Sequence, residues 1–261
     1  MKLKLKLLVA AAALAAAGQA SAAISTSQSG NGELFLSVYD SVAQMSYTRD
    51  LGITIDGFVS SANSNLTFAA DSLLSGFKGA DGLLNTGITW GIGAADGYGV
   101  NRYLTTTNAA ASSIGTLNNG QLKAFKGADV YLGAVNDLAA ANFGGSIDTA
   151  VNSSVTATPT DGAAYVPANI GDNWVGNANF SMMGNVGQAQ NFFLLSTVGT
   201  TATAKIKVSQ YANALGASTW NLGTDGKLSY SVAAVPEADT WAMFGVGLLM
   251  VGAIARRRMQ A

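Results

Sequence analysis

The stretch GELFLSVYDSVAQMSYTRDLGITIDGF, residues 32–58, decides the fold class of this chain. Near its start, apolar side chains occupy both faces of an extended segment, residues 34–39, and only Ser37 interrupts them. Near its end, apolar residues alternate with small or polar ones, at Leu51, Ile53 and Ile55. Alternation with a period of two is typical of a half-buried β-strand, because successive side chains of a strand point to opposite faces of its sheet. The stretch therefore predicts two or three consecutive strands.

The same signals predict further strands along the chain. They lie at residues 88–93, 103–107, 192–198 and 204–211. The clearest pair follows these, where Trp220 and Leu222 precede a turn and alternating apolar residues resume at Leu228, Tyr230 and Val232. The turn contains Asp225-Gly226, and Asp-Gly between two alternating runs is a strong hairpin signal. The last predicted strand thus ends shortly before the final 27 residues of the chain.

Two segments, residues 65–79 and 117–142, are rich in Leu and Ala and have partial helical spacing. They predict one or two short helices. The pentapeptide FKGAD occurs twice, at residues 77–81 and 125–129, and two short copies do not establish a repeat. We expect Gly79 and Gly127, the glycines of the two copies, to end short helices.

The fold class predicted from these patterns is mainly β. Strands separated by loops rich in Gly, Asn, Ser and Thr favour a β-sandwich-like domain with one or two short helices, and an irregular solenoid is the alternative. The domain is expected to lie between an N-terminal signal helix and a short C-terminal transmembrane helix.

The N-terminus has the three parts of a secretory signal peptide. Three lysines precede an uninterrupted apolar run, residues 7–17, and small residues follow, with Ala20 and Ala22 at the predicted cleavage site. An apolar run of eleven residues is too short for an uncleaved anchor, because the hydrocarbon core is ~30 Å thick. We expect cleavage after Ala22 or Ala23.

The C-terminus, VPEADTWAMFGVGLLMVGAIARRRMQA, holds a second apolar run at residues 241–255. Fifteen residues make a helix of roughly 22 Å, which is marginal against the usual ~20 residues of a membrane span. Trp241 is an interfacial aromatic at its start, and Arg256, Arg257 and Arg258 follow its end. By the positive-inside rule these arginines stay in the cytoplasm, so the rest of the chain is expected outside the membrane.

This C-terminus resembles the PEP-CTERM sorting signal. The resemblance lies in the order of three parts: the peptide Val235-Pro236-Glu237, then a short apolar helix that starts at Trp241, then the arginine cluster. The resemblance implies export by a Gram-negative, exopolysaccharide-producing bacterium. It also implies processing near Pro236 and Glu237 by exosortase, a membrane-embedded cysteine protease or transpeptidase. The family usually reads Pro-Glu-Pro, whereas this chain has Ala238 in the third position, which leaves Pro236 to fix the extended backbone. An ordinary C-terminal anchor that is never cut is the alternative.

A second resemblance lies near the start of the mature chain. Residues 31–35, NGELF, followed by residues 46–52, SYTRDLG, are similar to a recurrent N-terminal pattern among PEP-CTERM proteins of unassigned function. The chain therefore divides into a signal peptide at residues 1–22, a secreted β-rich domain at residues 23–234 and a sorting signal at residues 235–261.

Composition excludes several classes of function. The chain has no Cys and no His, so disulfides, Ser-His-Asp triads and Cys-His dyads are absent. Without the two terminal segments, the 14 basic residues fall to 8 and the 15 acidic residues fall to 13, which leaves a net charge near −5. An acidic domain with scattered Lys and Arg has no electrostatic footprint for nucleic acid.

Catalysis is not expected. A glycosidase needs two carboxyl groups facing each other across a cleft, and Glu33 is the only glutamate between the two terminal segments. Many of the aspartates precede glycine, which is turn chemistry. Oxygen-rich loops offer Asp96, Asn101 and Asp161 to calcium, but without the regular spacing of a calcium loop. We predict no catalytic residue, no metal site and no cofactor.

Aromatic side chains could stack on sugar rings. The large candidates are Trp90, Tyr98, Tyr103, Trp174 and Trp220. Trp220 lies in an alternating strand and is predicted to be core. Trp174, in the polar loop GDNWVGN, is the predicted glycan contact, although a loop tryptophan often folds back onto the domain.

The sequence as a whole predicts an exported protein with a structural or adhesive part in exopolysaccharide, biofilm or floc. It is expected to lie transiently in the inner membrane and then at the cell surface or in the extracellular matrix. Its predicted partners are exosortase, exopolysaccharide and, before processing, the membrane. A polysaccharide-binding module is the first alternative, and a carboxylate-dependent glycan hydrolase is the second.

Overall fold

A computed structural model describes residues 23–27, 30–85, 87–97, 101–123, 127–142, 154–171 and 180–233. The strands are β1 (Glu33–Asp40), β2 (Met45–Thr54), β3 (Leu66–Phe68), β4 (Ile88–Asp96), β5 (Arg102–Thr107), β6 (Ser154–Ala157), β7 (Gly184–Asn185), β8 (Gln190–Ser196), β9 (Lys207–Gln210), β10 (Ala212–Asn213), β11 (Gly216–Ala217), β12 (Thr219–Leu222) and β13 (Leu228–Ser231). The helices are α1 (Ile55–Ser61), α2 (Ser72–Ser75), α3 (Ala111–Ile114), α4 (Asn119–Lys123), α5 (Gly127–Asn142), a 3-10 helix (Pro159–Ala164) and α6 (Val166–Asn169).

The described part of the chain is mainly β, as the sequence predicts. Eleven strands form one antiparallel sheet in the order β3-β13-β12-β8-β5-β4-β1-β2-β6, with β7 beside β4 and β9 beside β8. Strands β10 and β11 form a separate hairpin. The predicted β12–β13 hairpin is confirmed, and Gly226 takes a left-handed φ of 83° in its turn. Such a φ favours glycine, because an L side chain would be strained there.

The sheet curls until its two ends meet. Tyr47 of β2 donates a hydrogen bond from its hydroxyl to the Asp71 carboxylate, over 2.7 Å, beyond the far end of β3. Arg49 of β2 donates to the carbonyl oxygen of Ala69 over 2.7 Å and lies over the ring of Phe68. Opposite parts of one curled sheet therefore share an inner core. The β-sandwich prediction is corrected in this respect, because the facing strands belong to one hydrogen-bonded sheet.

The inner core is aromatic and is capped by α1. This helix begins after Thr54, whose side-chain oxygen accepts a hydrogen bond from the Gly57 N–H and so satisfies one free donor of the first turn. Phe58 is fully buried, and its ring centroid lies 5.0 Å from that of Phe192 and 5.1 Å from that of Tyr230. Trp220, predicted to be core, is fully buried against the same rings.

The outer face of the sheet is covered by α5. Its buried residues follow a helical stripe, at Ala128, Tyr131, Leu132, Val135 and Ala139. The Tyr131 hydroxyl hydrogen-bonds Ser37 of β1 and Thr48 of β2, so the helix is fixed across the first hairpin. Apolar side chains of the sheet, including Phe35 and Phe193, complete this second core.

The helix predictions are wrong in number and length. The described residues contain six α-helices, and α5 alone has 16 residues, where one or two short helices are expected. Gly127 begins α5 and does not end a helix, while Gly79 lies in a turn and bonds Leu83 through its N–H. Gly79 and Gly127, the glycines of the two FKGAD copies, thus lie in different local structures.

The predicted signal helix at residues 1–22 and the predicted transmembrane helix at residues 241–255 lie outside the described residues. Within the described ranges, no helix combines the length and the apolarity that a membrane crossing requires.

Candidate functional site

The predicted site residues fall outside the part of the chain that the structure describes. These are Ala20 and Ala22 of the signal cleavage site, Trp174 as glycan contact, and Pro236, Glu237, Trp241, Arg256, Arg257 and Arg258 of the sorting signal. Their roles remain predictions.

Three of the other aromatic candidates lie inside the protein. Trp90, Tyr103 and Trp220 are each fully buried, and the Trp90 indole N–H donates to the carbonyl oxygen of Asn185 over 3.0 Å. A sugar ring needs an exposed aromatic face, so these three side chains offer no stacking platform. Tyr98 lies outside the described residues.

The calcium candidates are engaged within the protein. Asp96 is nearly buried and accepts hydrogen bonds from the Arg102 guanidinium, at 2.7 and 3.2 Å. Asp161 accepts from the N–H and the hydroxyl of Thr158, at 2.7 and 2.8 Å, and so caps its own 3-10 helix. Among the described residues no three acidic side chains converge to hold a metal ion.

The most unusual chemistry in the described domain is a pair of buried carboxyl groups on the first hairpin. Phe35 of β1 pairs with Asp50 of β2, while Glu33 pairs with Thr54, so the register shifts between the two pairs. Such a bulge changes the direction of the side chains beside it. Glu33 and Asp50 are only 7% and 5% exposed.

The electrostatic environment of Asp50 favours its neutral form. Burial is the main cause that raises the pKa of Asp50, the negative charge of Glu33 raises it further, and the result is about 7. The Gly52 N–H, which donates to Asp50 over 2.7 Å, and the charge of Arg49 both lower the pKa, but by less. The Asp50 carboxyl therefore takes up a proton close to neutral pH, where an ordinary aspartate is ionised.

An N-terminal strap, residues 23–27 and 30–32, is bonded to Glu33. The Ser25 N–H donates to the Glu33 carboxylate over 2.8 Å, and the Glu33 N–H donates to the Ser25 carbonyl over 3.1 Å. Gly32 passes so close to the Ala95 carbonyl oxygen that a Cβ atom would not fit there. The strap therefore depends on glycine at this position.

Helix α5 holds the same segment from the other side. The Asn136 side chain accepts from the Ile24 N–H over 3.0 Å and donates to the Ile24 carbonyl over 3.1 Å. The Ser27 N–H donates to the Asp129 carboxylate over 2.8 Å, and the Ser27 hydroxyl bonds the same carboxylate. These contacts fix Ile24 and Ser27 against α5.

This arrangement is suited to a pH-sensitive structural contact. A carboxyl with a pKa near 7 has the acid–base property that enzymes use, but Glu33 and Asp50 are covered and one oxygen of Glu33 is engaged by the strap. A glycosidase places its two carboxyl groups on opposite sides of an open cleft. The sequence patterns single out Glu33 and miss Asp50, whose one signal is a carboxylate in the middle of a predicted strand.

A second charged cluster, formed by Arg102, Asp56 and Asp96, lies near the start of α1. Arg102 donates to Asp56 over 2.7 Å and to Asp96 over 2.7 Å, and these bonds raise the pKa of the guanidinium. Asp56 is largely exposed while Asp96 is nearly buried, so the Asp96 contact is the one screened least by water. This cluster joins the end of β4 and the start of β5 to α1.

No protein-family model, no curated protein and no solved structure matches this chain. The resemblance of residues 235–261 to the PEP-CTERM signal remains a prediction from the sequence.

Proposed function

We propose that this chain is an exported protein that exosortase releases from the inner membrane, and that its β-rich domain then serves a structural or adhesive part at the cell surface or in the exopolysaccharide matrix. The domain acts in this proposal as a stable module without catalysis. The sorting residues Pro236 and Glu237 are acted upon by another enzyme.

One observation carries the proposal: the folded contacts of the domain reach close to both predicted processing points. Ile24, two residues after Ala22, is bonded through its N–H and its carbonyl to Asn136. At the other end the Ala233 carbonyl accepts a hydrogen bond from the Asn213 side chain over 2.5 Å, three residues before Pro236. The folded domain thus ends close to the signal peptide and to the sorting signal, so both segments can be removed without loss of its core.

The chemistry of the described domain supports a role without catalysis. Glu33 and Asp50 are both buried, Glu33 is bonded to the strap, and the described aspartates singled out from the sequence are bonded within the protein. A sugar polymer reaching these carboxyl groups would have to displace backbone hydrogen bonds.

The test is release from the membrane by the native bacterium. Glu237→Ala is expected to leave the protein in the membrane fraction, because the recognised Pro-Glu pair is lost. Ala238→Pro is the matched control, since it restores the usual Pro-Glu-Pro and is expected to release at least as much protein as the natural chain. Equal release of all three chains would contradict recognition of this peptide.

A further inference from the structure

Both ends of the folded domain lie at the same end of the curled sheet. Asp96 at the end of β4 pairs with Arg102 at the start of β5, and Arg102 pairs with Ser196 at the end of β8. Strand β1 starts at this end, because it is antiparallel to β4. Strand β13 finishes beside the end of α1, the helix that starts from this end of the sheet, because the Tyr230 hydroxyl donates to the Ala62 carbonyl over 3.0 Å and the Val232 N–H donates to the Asn65 side chain over 2.8 Å.

Three exposed apolar side chains lie at this end. Val198 follows the end of β8 by two residues and is 50% exposed. Val59, 44% exposed, belongs to α1, which begins where β2 ends beside the start of β1. Leu215, 53% exposed, is at the tip of the β10–β11 hairpin, which the Asn213 side chain joins to Ala233.

Three exposed lysines belong to elements that lie beside Val198, and the Lys205 ammonium donates to the Thr116 carbonyl. The backbone of Lys207 pairs with that of Ser196, where β9 lies beside β8. The backbone of Lys205 forms an isolated antiparallel β-bridge with that of Asn118. Lys123 ends α4, whose Asn119 side chain accepts from the Val198 N–H over 3.0 Å and donates to the Val198 carbonyl over 2.8 Å. Apolar side chains flanked by lysines fit the surface of an anionic bilayer, where the apolar groups enter the headgroup region and the lysines meet lipid phosphates.

The length of the connecting chain decides which face can meet the membrane. Seven residues lie between Ala233 and Trp241, the predicted interfacial residue, and the eight Cα-to-Cα steps span at most about 29 Å when fully extended. A domain of this size is about 40 Å across. The connection is therefore too short to pass around the domain, and the end that carries Ala233 must stay near the bilayer.

We propose that a chain-end face, comprising Val59, Val198, Leu215, Lys123, Lys205 and Lys207, lies on the anionic lipid surface of the inner membrane before processing. This inference rests on the proposed C-terminal membrane helix and adds the orientation of the domain. The orientation brings the Pro236-Glu237 peptide to the membrane surface, within reach of a membrane-embedded enzyme.

The experiment uses the absence of cysteine from the chain. Single cysteines at Val198 and Leu215 report on the chain-end face, and cysteines at Val42 and Leu83, which are also exposed apolar positions, report on other loops. Val42 follows the end of β1, at the opposite end of the sheet. Each full-length variant carries a polarity-sensitive fluorophore and is reconstituted into vesicles of phosphatidylethanolamine and phosphatidylglycerol whose acyl chains are brominated, so that contact with lipid quenches emission.

The expected result is loss of emission at positions 198 and 215 and unchanged emission at positions 42 and 83. Lys205→Gln combined with Lys207→Gln, or replacement of phosphatidylglycerol by phosphatidylcholine, should reduce the loss at position 198. Equal quenching at all four positions, or none while the protein floats with the vesicles, would overturn the proposed orientation. Protein that does not float with the vesicles would refute the membrane helix itself, and with it the proposed route.

Discussion

Replacing Asp50 by asparagine is expected to stabilise the processed protein, and more strongly at pH 8 than at pH 5. In the folded protein the Asp50 pKa is about 7, against the ordinary value of 3.8. A carboxyl whose pKa is raised by folding binds its proton more tightly in the folded state, so the stability it contributes is lost as the pH rises from about 4 to about 7. Asparagine keeps a side-chain oxygen for the Gly52 N–H and carries no charge.

The size of the effect follows from the two pKa values. A shift of about three units corresponds to a penalty of about 4 kcal/mol once both states are ionised at pH 8. At pH 5 folded Asp50 is neutral and the penalty is only about 1–2 kcal/mol. The stabilising effect of Asp50→Asn should therefore be about 2–3 kcal/mol larger at pH 8, with a melting temperature higher by several degrees.

The assay is urea unfolding of both chains at the two pH values, followed by tryptophan fluorescence. Asp137→Asn is the matched control, because Asp137 lies exposed on α5 and should give the same small effect at both pH values. A variant that is less stable than the natural chain at pH 8 would refute the reasoning, since it would show that ionised Asp50 is stabilised by its surroundings.

Three further predictions follow from the packing. Phe58→Ala should lower the free energy of unfolding by about 3–5 kcal/mol in urea titrations, because it opens a cavity in the inner core, and Phe58→Leu should lose clearly less. Asn136→Ala should expose the strap to hydrogen exchange around Ile24 while α5 stays protected, because both side-chain bonds to that residue are lost. Arg102→Ala should cost about 1–3 kcal/mol of stability, because it leaves the nearly buried Asp96 carboxylate without these bonds, and Arg102→Lys should recover part of it.

The strands could be predicted because their signal is local. The Asp225-Gly226 turn needs only neighbouring residues and is in the structure, and Leu51 and Ile53 lie in β2 as predicted. Ile55 does not continue that strand, because the Thr54 side chain caps a helix that begins at Ile55. The predicted strand at residues 204–211 is shorter, Lys207–Gln210, because residues before it contact the loop near α4.

The helices and the carboxyl pair could not be predicted in the same way. Helix α5 has weak periodicity and begins at a glycine, and it is fixed by the contact of Tyr131 with Ser37 and Thr48, which are distant in sequence. The Glu33–Asp50 pair depends on a shift of register within the first hairpin, which side-chain types do not reveal. Closure of the sheet by Tyr47 and Arg49 is likewise a long-range contact.

The measurement that tests the account most directly is intact-mass spectrometry of the mature protein from the native bacterium and from a strain lacking exosortase. The account predicts a chain that starts near Ala23 and ends near Val235 to Glu237 only when exosortase is present. A chain that still ends after Arg256-Arg257-Arg258 in both strains would contradict it, because the C-terminal segment would then be a permanent anchor.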